Sequence, residues 1–344
     1  MGNLMKAWVI EAYGAPKDVL TLQTIDRPKP VGSQVLVRVL ASSINPIDLR
    51  MVQGYGAKLR KLATKKEFPF ISGRDVVGEV IEVGPDATKF KVGDRVAGIN
   101  DIKEIGGHAE FSAIDEKNLA IAPTNVSAEN LAAIPYVAMT TWTALVTKVK
   151  LDPENAVGKH LFVHAGSGGI GSFTIQWARA LGMRVSTTCS TSNVDWVREL
   201  GAETVVDYRN EDYRQVVSDV DYAYDTLGGA YAKDTAALVS AGGGYASIVH
   251  PIMPYTDSYG SLLGGLAILG DLGWKKVTHR LRGRRYAWSI CQPSEAGIAH
   301  VMKKVEAGQI KPTVEQVLPM GKIVDGFEHV ERGSAKGKTV LTWD

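Results

Sequence analysis

Residues 160–182 read HLFVHAGSGGIGSFTIQWARALG. The opening HLFVHA is a short apolar run of strand length. From Ile170 onward the apolar spacing puts Ile170, Phe173, Thr174, Trp177, Ala178 and Leu181 on one face of a helix that ends at Gly182. Gly166, Gly168, Gly169 and Gly171 stand at the turn between strand and helix. A turn of this kind lets backbone approach a pyrophosphate, whose charge is favoured by unpaired N–H groups and the helix N-terminus. The spacing Ala165-x-x-Gly168-x-x-Gly171 is a variant of G-x-G-x-x-G. Alone it also fits plain close packing. Its context separates the two readings: MRVSTTC, TVVDY, DYAYDT and GYASIV follow as short buried strands, mostly alternating with helix-capable segments, the pattern of a doubly wound parallel sheet. The expectation is a dinucleotide held by Ser167, Gly168, Gly169, Ile170 and Gly171.

The end of the next strand chooses the dinucleotide, because an acid there binds an unmodified adenosine ribose and repels a 2′-phosphate. The text is TTCSTSNVDW, residues 187–196, with no carboxylate before Asp195. Ser190, Thr191 and Asn193 offer hydroxyls and an amide instead, which favours NADPH. Ser192 or Asn193 also suits the cap of the helix VDWVREL.

Composition bounds the rest. A chain of 344 residues suggests two domains. With 45% apolar and 22% charged residues and a net charge of +2, it reads as an ordinary globular protein with no global pull toward nucleic acid. Its two basic runs, KLRKLATKK and HRLRGRR, read as solvated faces, although the first could steer an anionic acceptor. The apolar stretch GSLLGGLAILGDLGW, residues 260–274, holds Asp271 and falls short of the roughly 20 residues of a span. The N-terminal MGNLMKAWVIEAYG has no transit-peptide or signal character, so the expected compartment is cytoplasmic. Cys189 and Cys291 read as buried, unreactive thiols.

Up to residue 127 the chain is strands and turns, and its last segment, with alternating KTVLTW, returns to that texture. The expected organisation is a Rossmann dinucleotide-binding domain over residues 128–292, inserted into a split β-rich domain over 1–127 and 293–344. LAAIPYVAMTTWTALVTKV reads as one helix, the stretch 252–285 has no clear role, and the strand-like Tyr286 to Ile290 offers an edge for a homodimer.

INPID, GRDVVGEVIEVG, KVGDRV, GGHAEF, IPYVAMTTWTAL, GSGGIG, ELGAETVVDY and GKTVL resemble the zinc-independent quinone oxidoreductases of the medium-chain dehydrogenase/reductase superfamily. Tyr55-Gly56-Ala57, GRD and RYAW are similar to the mitochondrial reticulon-interacting NADPH oxidoreductases. The resemblance implies a GroES-like fold for the split domain. Zinc members carry a cysteine where this chain has Asn45, and Gly-His-Glu where it has Gly73-Arg74-Asp75, so no metal is expected. It further implies hydride transfer to a quinone or α,β-unsaturated carbonyl. Asn45 would bond the acceptor oxygen, or cap the helix begun by Pro46. Thr140 would contact the nicotinamide end, and Tyr208 and Lys338 the cofactor, with a solvated Lys338 as the alternative. Tyr55 is the candidate substrate contact and proton donor. Arg74 would attract an oxyanion or pair with nearby carboxylates. His108 reads as structural.

Overall fold

The computed structural model describes residues 3–249, 252–333 and 336–343. The chain forms two units, Met1–Met139 with Pro293–Asp344, and Thr140–Gln292.

The first unit is built on β1 (Leu4–Ile10), β2 (Leu20–Asp26), β3 (Gln34–Ile44), β4 (Phe70–Ile71), β5 (Asp75–Val83), β6 (Arg95–Ile99), β7 (Phe111–Asp115) and β8 (Leu119–Ile121). The second holds β9 (His160–Val163), β10 (Arg184–Cys189), β11 (Thr204–Asp207), β12 (Val220–Asp225), β13 (Val239–Ser247) and β14 (Arg285–Trp288). The chain then returns to the first unit with β15 (Val314–Pro319) and β16 (Lys338–Thr342).

In the first unit the sheet order is β15-β16-β3-β5-β6-β8, with β7 on β3 and a small β2-β1-β4 sheet beside it. β3 is the centre: β5, β7 and β16 all pair with it antiparallel. Eight of its residues are accordingly buried, in the near-continuous apolar run of a covered strand. The pairing of β16 with Ala41–Ile44 brings Lys338 to the end of β3, just before Asn45. A core of Ile10, Leu20, Ile44, Leu49, Val52, Met320, Ile323, Phe327 and Leu341 joins the two ends of the chain.

The second unit is a six-stranded parallel sheet ordered β11-β10-β9-β12-β13-β14. Numbered from β9, this is the 3-2-1-4-5-6 order of a dinucleotide-binding fold, and the order reverses between β9 and β12. The glycine turn leaves β9 at that reversal. The helix that follows, Gly169–Ala180, differs from the one-face reading, since eight consecutive residues from Gly171 to Ala178 are buried.

Two segments depart from the expected elements. LAAIPYVAMTTWTALVTKV opens on the last residue of a short helix, Ala128–Leu131, and continues as a new helix Pro135–Trp142 and a π-helical stretch Thr143–Lys148. Pro135 has no N–H to donate and disfavours helix at the residue before it, so it ends one helix and starts the next. The stretch without a clear role is a 30-residue helix, Ile252–Leu281. His279 anchors its last turn against the rings of Tyr245 and Tyr286, 5.7 and 5.0 Å away. Cys189 is buried and its thiol pushed up to about 11 by burial, whereas Cys291 is only half-buried.

His164 sits directly under the glycine turn. Its Nδ1 lies 3.2 Å from Thr188 Oγ1 and its Nε2 2.7 Å from Thr235 Oγ1. Thr188 Oγ1 in turn accepts the Ala165 N–H at 3.2 Å. Burial lowers the imidazole from 6.5 to about 4, against the opposing carboxylate of Asp225. The folded state therefore holds a neutral ring that the unfolded chain protonates below 6.5. Stability present above that pH drains as the pH falls toward 4, by about 3 kcal/mol in full. Chemical denaturation across this range should show the loss, and His164→Asn should flatten the slope.

Candidate active site

The cofactor turn is built by backbone. Val163 ends β9, Ala165 takes φ +54°, and Gly168 precedes the first turn of the helix without a side-chain cap. Gly166 N–H donates to Thr188 O at 2.8 Å and Gly168 N–H to Ala165 O at 3.0 Å, which fixes the loop. The N–H groups of Gly169, Ile170 and Gly171 meet no partner among the described residues. Such a row of donors at the positive end of a helix suits an anion. The glycines are required sterically. A Cβ on Gly171 would lie 2.2 Å from Ala165 O, and one on Gly166 2.5 Å from Thr187 Oγ1.

At the end of β10, Ser190 starts a 3-10 turn, Thr191–Asn193. Asn193 stands at the cap position of the next helix, yet its side chain makes no cap bond. Its Nδ2 instead donates to Ser190 Oγ at 3.1 Å, and its buried Oδ1 has no hydrogen-bond partner among the described residues. The Thr191 hydroxyl holds Asp207 below the usual carboxylate range, and Asn210 Nδ2 donates to the same carboxylate at 2.6 Å. Tyr208 is 58% exposed, with its N–H on Cys189 O at 3.1 Å. Arg198, which sequence reasoning passed over, is close enough for its charge to favour the Cys189 thiolate. The signal for it was weak: one arginine on an amphipathic helix, already paired with Asp195 at 3.3 Å.

In the first unit, Asn45 lies in a buried polar cluster. Its N–H donates to Asp48 Oδ2 at 2.8 Å, the backbone half of a capping box. The Asn45 side chain turns elsewhere: Nδ2 donates to Asp75 Oδ2 at 2.8 Å, and Oδ1 accepts from Lys338 Nζ. Lys338 Nζ is also 3.5 Å from Asp75 Oδ2. Ser43 Oγ donates to the same oxygen, and Tyr136 N–H donates to Asp75 Oδ1 at 2.6 Å. Asp48 and Asp75 are 0% exposed, Asn45 1% and Lys338 5%, so Lys338 is not solvated. Burial pushes the Lys338 ammonium below its ordinary range, opposed by Asp75 and Asp48. His108 closes the cluster, with Nδ1 3.0 Å from Ser72 Oγ and Nε2 3.2 Å from Ser43 O. Burial lowers its imidazole too. Gly73 makes room for it: this residue has φ +99°, and a Cβ there would lie 2.7 Å from the His108 ring and backbone nitrogen.

The remaining predicted residues are placed as follows. Arg74 is half-buried, and its guanidinium has no ion pair among the described residues. It lines a cleft of about 510 Å³ together with Asp48, Met51, Ser72 and Asn100. Tyr55 is 36% exposed on the loop between helices Pro46–Val52 and Ala57–Thr64, with the Arg50 guanidinium 5.9 Å from its ring centre. Its side chain is outside the Asn45 cluster. Thr140 is buried in the helix Pro135–Trp142 of the second unit's edge. Thr141 pairs with Thr174 at 2.9 Å, and Thr143 with the backbone of Gln292 at 3.1 Å, so both serve packing. Asp48 and Asp75 were present in INPID and GRD, but nothing in either motif marks a carboxylate as buried.

Residues 32–145 match the alcohol dehydrogenase GroES-like domain, and residues 200–341 match the zinc-binding dehydrogenase domain. NAD(P)H oxidoreductase RTN4IP1, mitochondrial, of Danio rerio is 35% identical over 99% of this chain and 92% of its own length. The Homo sapiens protein of the same name is 34% identical over 98% and 89%. The structure of the quinone oxidoreductase from Coxiella burnetii superposes with a TM-score of 0.82 and 26% identity, covering 99% of this chain and all of the other. These relatives correct the expected compartment. Both curated proteins are named mitochondrial, so the cytoplasmic assignment is not retained. It rested on the N-terminal stretch, of which Leu4–Ile10 form β1. Fold, motifs and relatives agree, and the chain belongs to the medium-chain dehydrogenase/reductase superfamily, among the NAD(P)H oxidoreductases related to RTN4IP1.

Proposed function

We propose that this protein is an NADPH-dependent reductase that delivers hydride to a quinone or an α,β-unsaturated carbonyl without a metal. One observation carries the reading: the buried Asp75 carboxylate is already neutralised by the Lys338 ammonium and bonded by Asn45, Ser43 and Tyr136 N–H. A zinc ion needs deprotonated thiolate, imidazole or carboxylate donors. Here the matching positions supply an amide and a guanidinium, and the one carboxylate already faces a cation. The donor set does not fit zinc.

Bound NADPH supplies the hydride. The free N–H groups of Gly169, Ile170 and Gly171 hold its pyrophosphate, with Ser167 and Gly168 shaping the turn. Ser190, Thr191 and Asn193 face the 2′-phosphate, with Arg198 adding charge and Tyr208 flanking the adenosine. Asn45 has both amide groups engaged and retains one N–H, which it donates to the acceptor oxygen. Lys338 acts through Asn45, fixing the orientation of its amide, rather than by touching the cofactor. Arg74 stabilises the charge that develops on the acceptor oxygen. Tyr55 or water returns the proton, and Thr140 steadies the nicotinamide end. The open edge of β14 pairs with a second copy of the chain. An enoyl thioester is the alternative acceptor. A cofactor-binding interaction or RNA-binding protein with little turnover is the competing class.

The test is NADPH consumption by the purified protein over a panel of quinones, enones and enoyl thioesters. Turnover with at least one class is expected, with NADPH preferred over NADH. Ser190→Asp should lower kcat/KM for NADPH about tenfold or more, equivalent to about 1.4 kcal/mol, while sparing NADH. No turnover on any acceptor would remove the reductase reading, and an unchanged preference would displace the phosphate pocket.

The buried cluster makes its own prediction. Lys338→Met leaves the Asp75 charge unpaired and should destabilise the fold by about 3–5 kcal/mol. Adding Asp75→Asn should recover part of that loss. Denaturant titration of the four proteins of the cycle measures it.

A further inference from the structure

The helix Ile252–Leu281 leaves a wide apolar side uncovered. Leu266, Leu269, Trp274, Val277 and Leu281 are 52–82% exposed. At 100° per residue they fall within one sector of about 140°. The helix is held from its other side, where His279 is buried against Tyr245 and Tyr286. A continuous exposed apolar face of this size marks an interaction surface.

The charges bordering the face say which surface. Between residues 264 and 285 stand six cations, Lys275, Lys276, Arg280, Arg282, Arg284 and Arg285, against one acid, Asp271, in a chain whose total is +2. Three of them are occupied within the protein: Lys275 bonds Asp271 at 2.8 Å, Arg284 donates to Ala236 O at 2.9 Å and Arg285 to Val149 O at 3.2 Å. Lys276, Arg280 and Arg282 are exposed and have no partner among the described residues. On the same wheel Lys276 stands just outside the Leu269 edge of the apolar sector and Arg280 just inside it, and Arg282 lies past the end of the helix.

From this we infer that the Leu266–Leu281 face docks in the plane of an anionic lipid bilayer, its apolar side chains and the Trp274 indole entering the headgroup boundary and the cations meeting lipid phosphates. Apolar residues backed by lysine and arginine, with tryptophan at the boundary, are the composition of helices that lie on membranes. No described helix is long and apolar enough to cross one. A second copy of this chain would bring the same cations to the face, which favours the lipid as occupant. The inference rests on this surface alone and does not depend on the acceptor proposed above.

The test is flotation of the full chain with phosphatidylcholine vesicles, with or without about a third phosphatidylglycerol. Binding to the anionic vesicles should exceed binding to the neutral ones at least tenfold and weaken with salt. Leu269→Glu with Trp274→Glu, and separately Lys276→Glu with Arg280→Glu, should each lose it at least tenfold, with thermal unfolding and NADPH binding unchanged. Because the chain has seven tryptophans, depth is read by difference. Lipids with brominated acyl chains should quench part of the emission, and Trp274→Phe, still bound, should lack that part. Failure of the native protein to float at low salt would overturn the inference. So would flotation indifferent to both double variants, or light scattering in which Leu269→Glu with Trp274→Glu splits a dimer that does not bind vesicles. Retention of RNA but not vesicles through Lys276 and Arg280 would also overturn it, assigning the face to nucleic acid.

Discussion

A single buried carboxylate organises the first unit. Asp75 is 0% exposed, and an uncompensated charge there would cost far more than the fold has to spare. Its compensation comes from three distant places in the sequence: Ser43 and Asn45 at the end of β3, Tyr136 at a helix start, and Lys338 on the C-terminal return. The pairing of β16 with the end of β3 is therefore more than sheet extension. It delivers the ammonium without which the cluster would not be balanced. Asn45, held between Asp75 and Lys338, has a fixed amide, and this fixity is what allows a neutral side chain to orient an acceptor in the proposed reaction.

The second unit depends on a different constraint, the close approach of two backbones. The Gly171 position has no room for a Cβ against Ala165 O, and Gly166 none against Thr187. Below them a neutral His164 links Thr188 to Thr235 and so ties the turn to the interior. The rigid support leaves three consecutive N–H groups with no partner among the described residues. Charge balance in one unit and steric permission in the other thus prepare two kinds of binding chemistry.

Much of this was legible in the sequence where local pattern dictates structure. The alternation of apolar runs gave the parallel sheet, and GSGGIG gave the turn, because glycine spacing reports a backbone requirement directly. Asn45 and Lys338 stood among the candidates read from the sequence, but their partnership was not legible: 293 positions separate them, and only the pairing of β16 with β3 brings them together. Asp75 was overlooked beside Arg74 for the same reason, since burial belongs to the fold and not to the triplet. Pro135 divided a helix whose apolar periodicity ran straight through it. Ile252–Leu281 was unreadable because its glycines argue against a helix, and from Leu266 to Leu281 large apolar residues stand exposed where a helix pattern expects polar ones.

The central claim is that the buried Asp75–Lys338–Asn45 cluster serves a reduction that needs no metal. The most direct measurement is the zinc content of purified protein set against its single-turnover rate of hydride transfer from deuterium-labelled NADPH to a quinone or enone. The account predicts an isotope effect on that step in protein with sub-stoichiometric zinc, and a rate indifferent to chelator. A rate that rises in proportion to bound zinc and disappears when it is removed would contradict it.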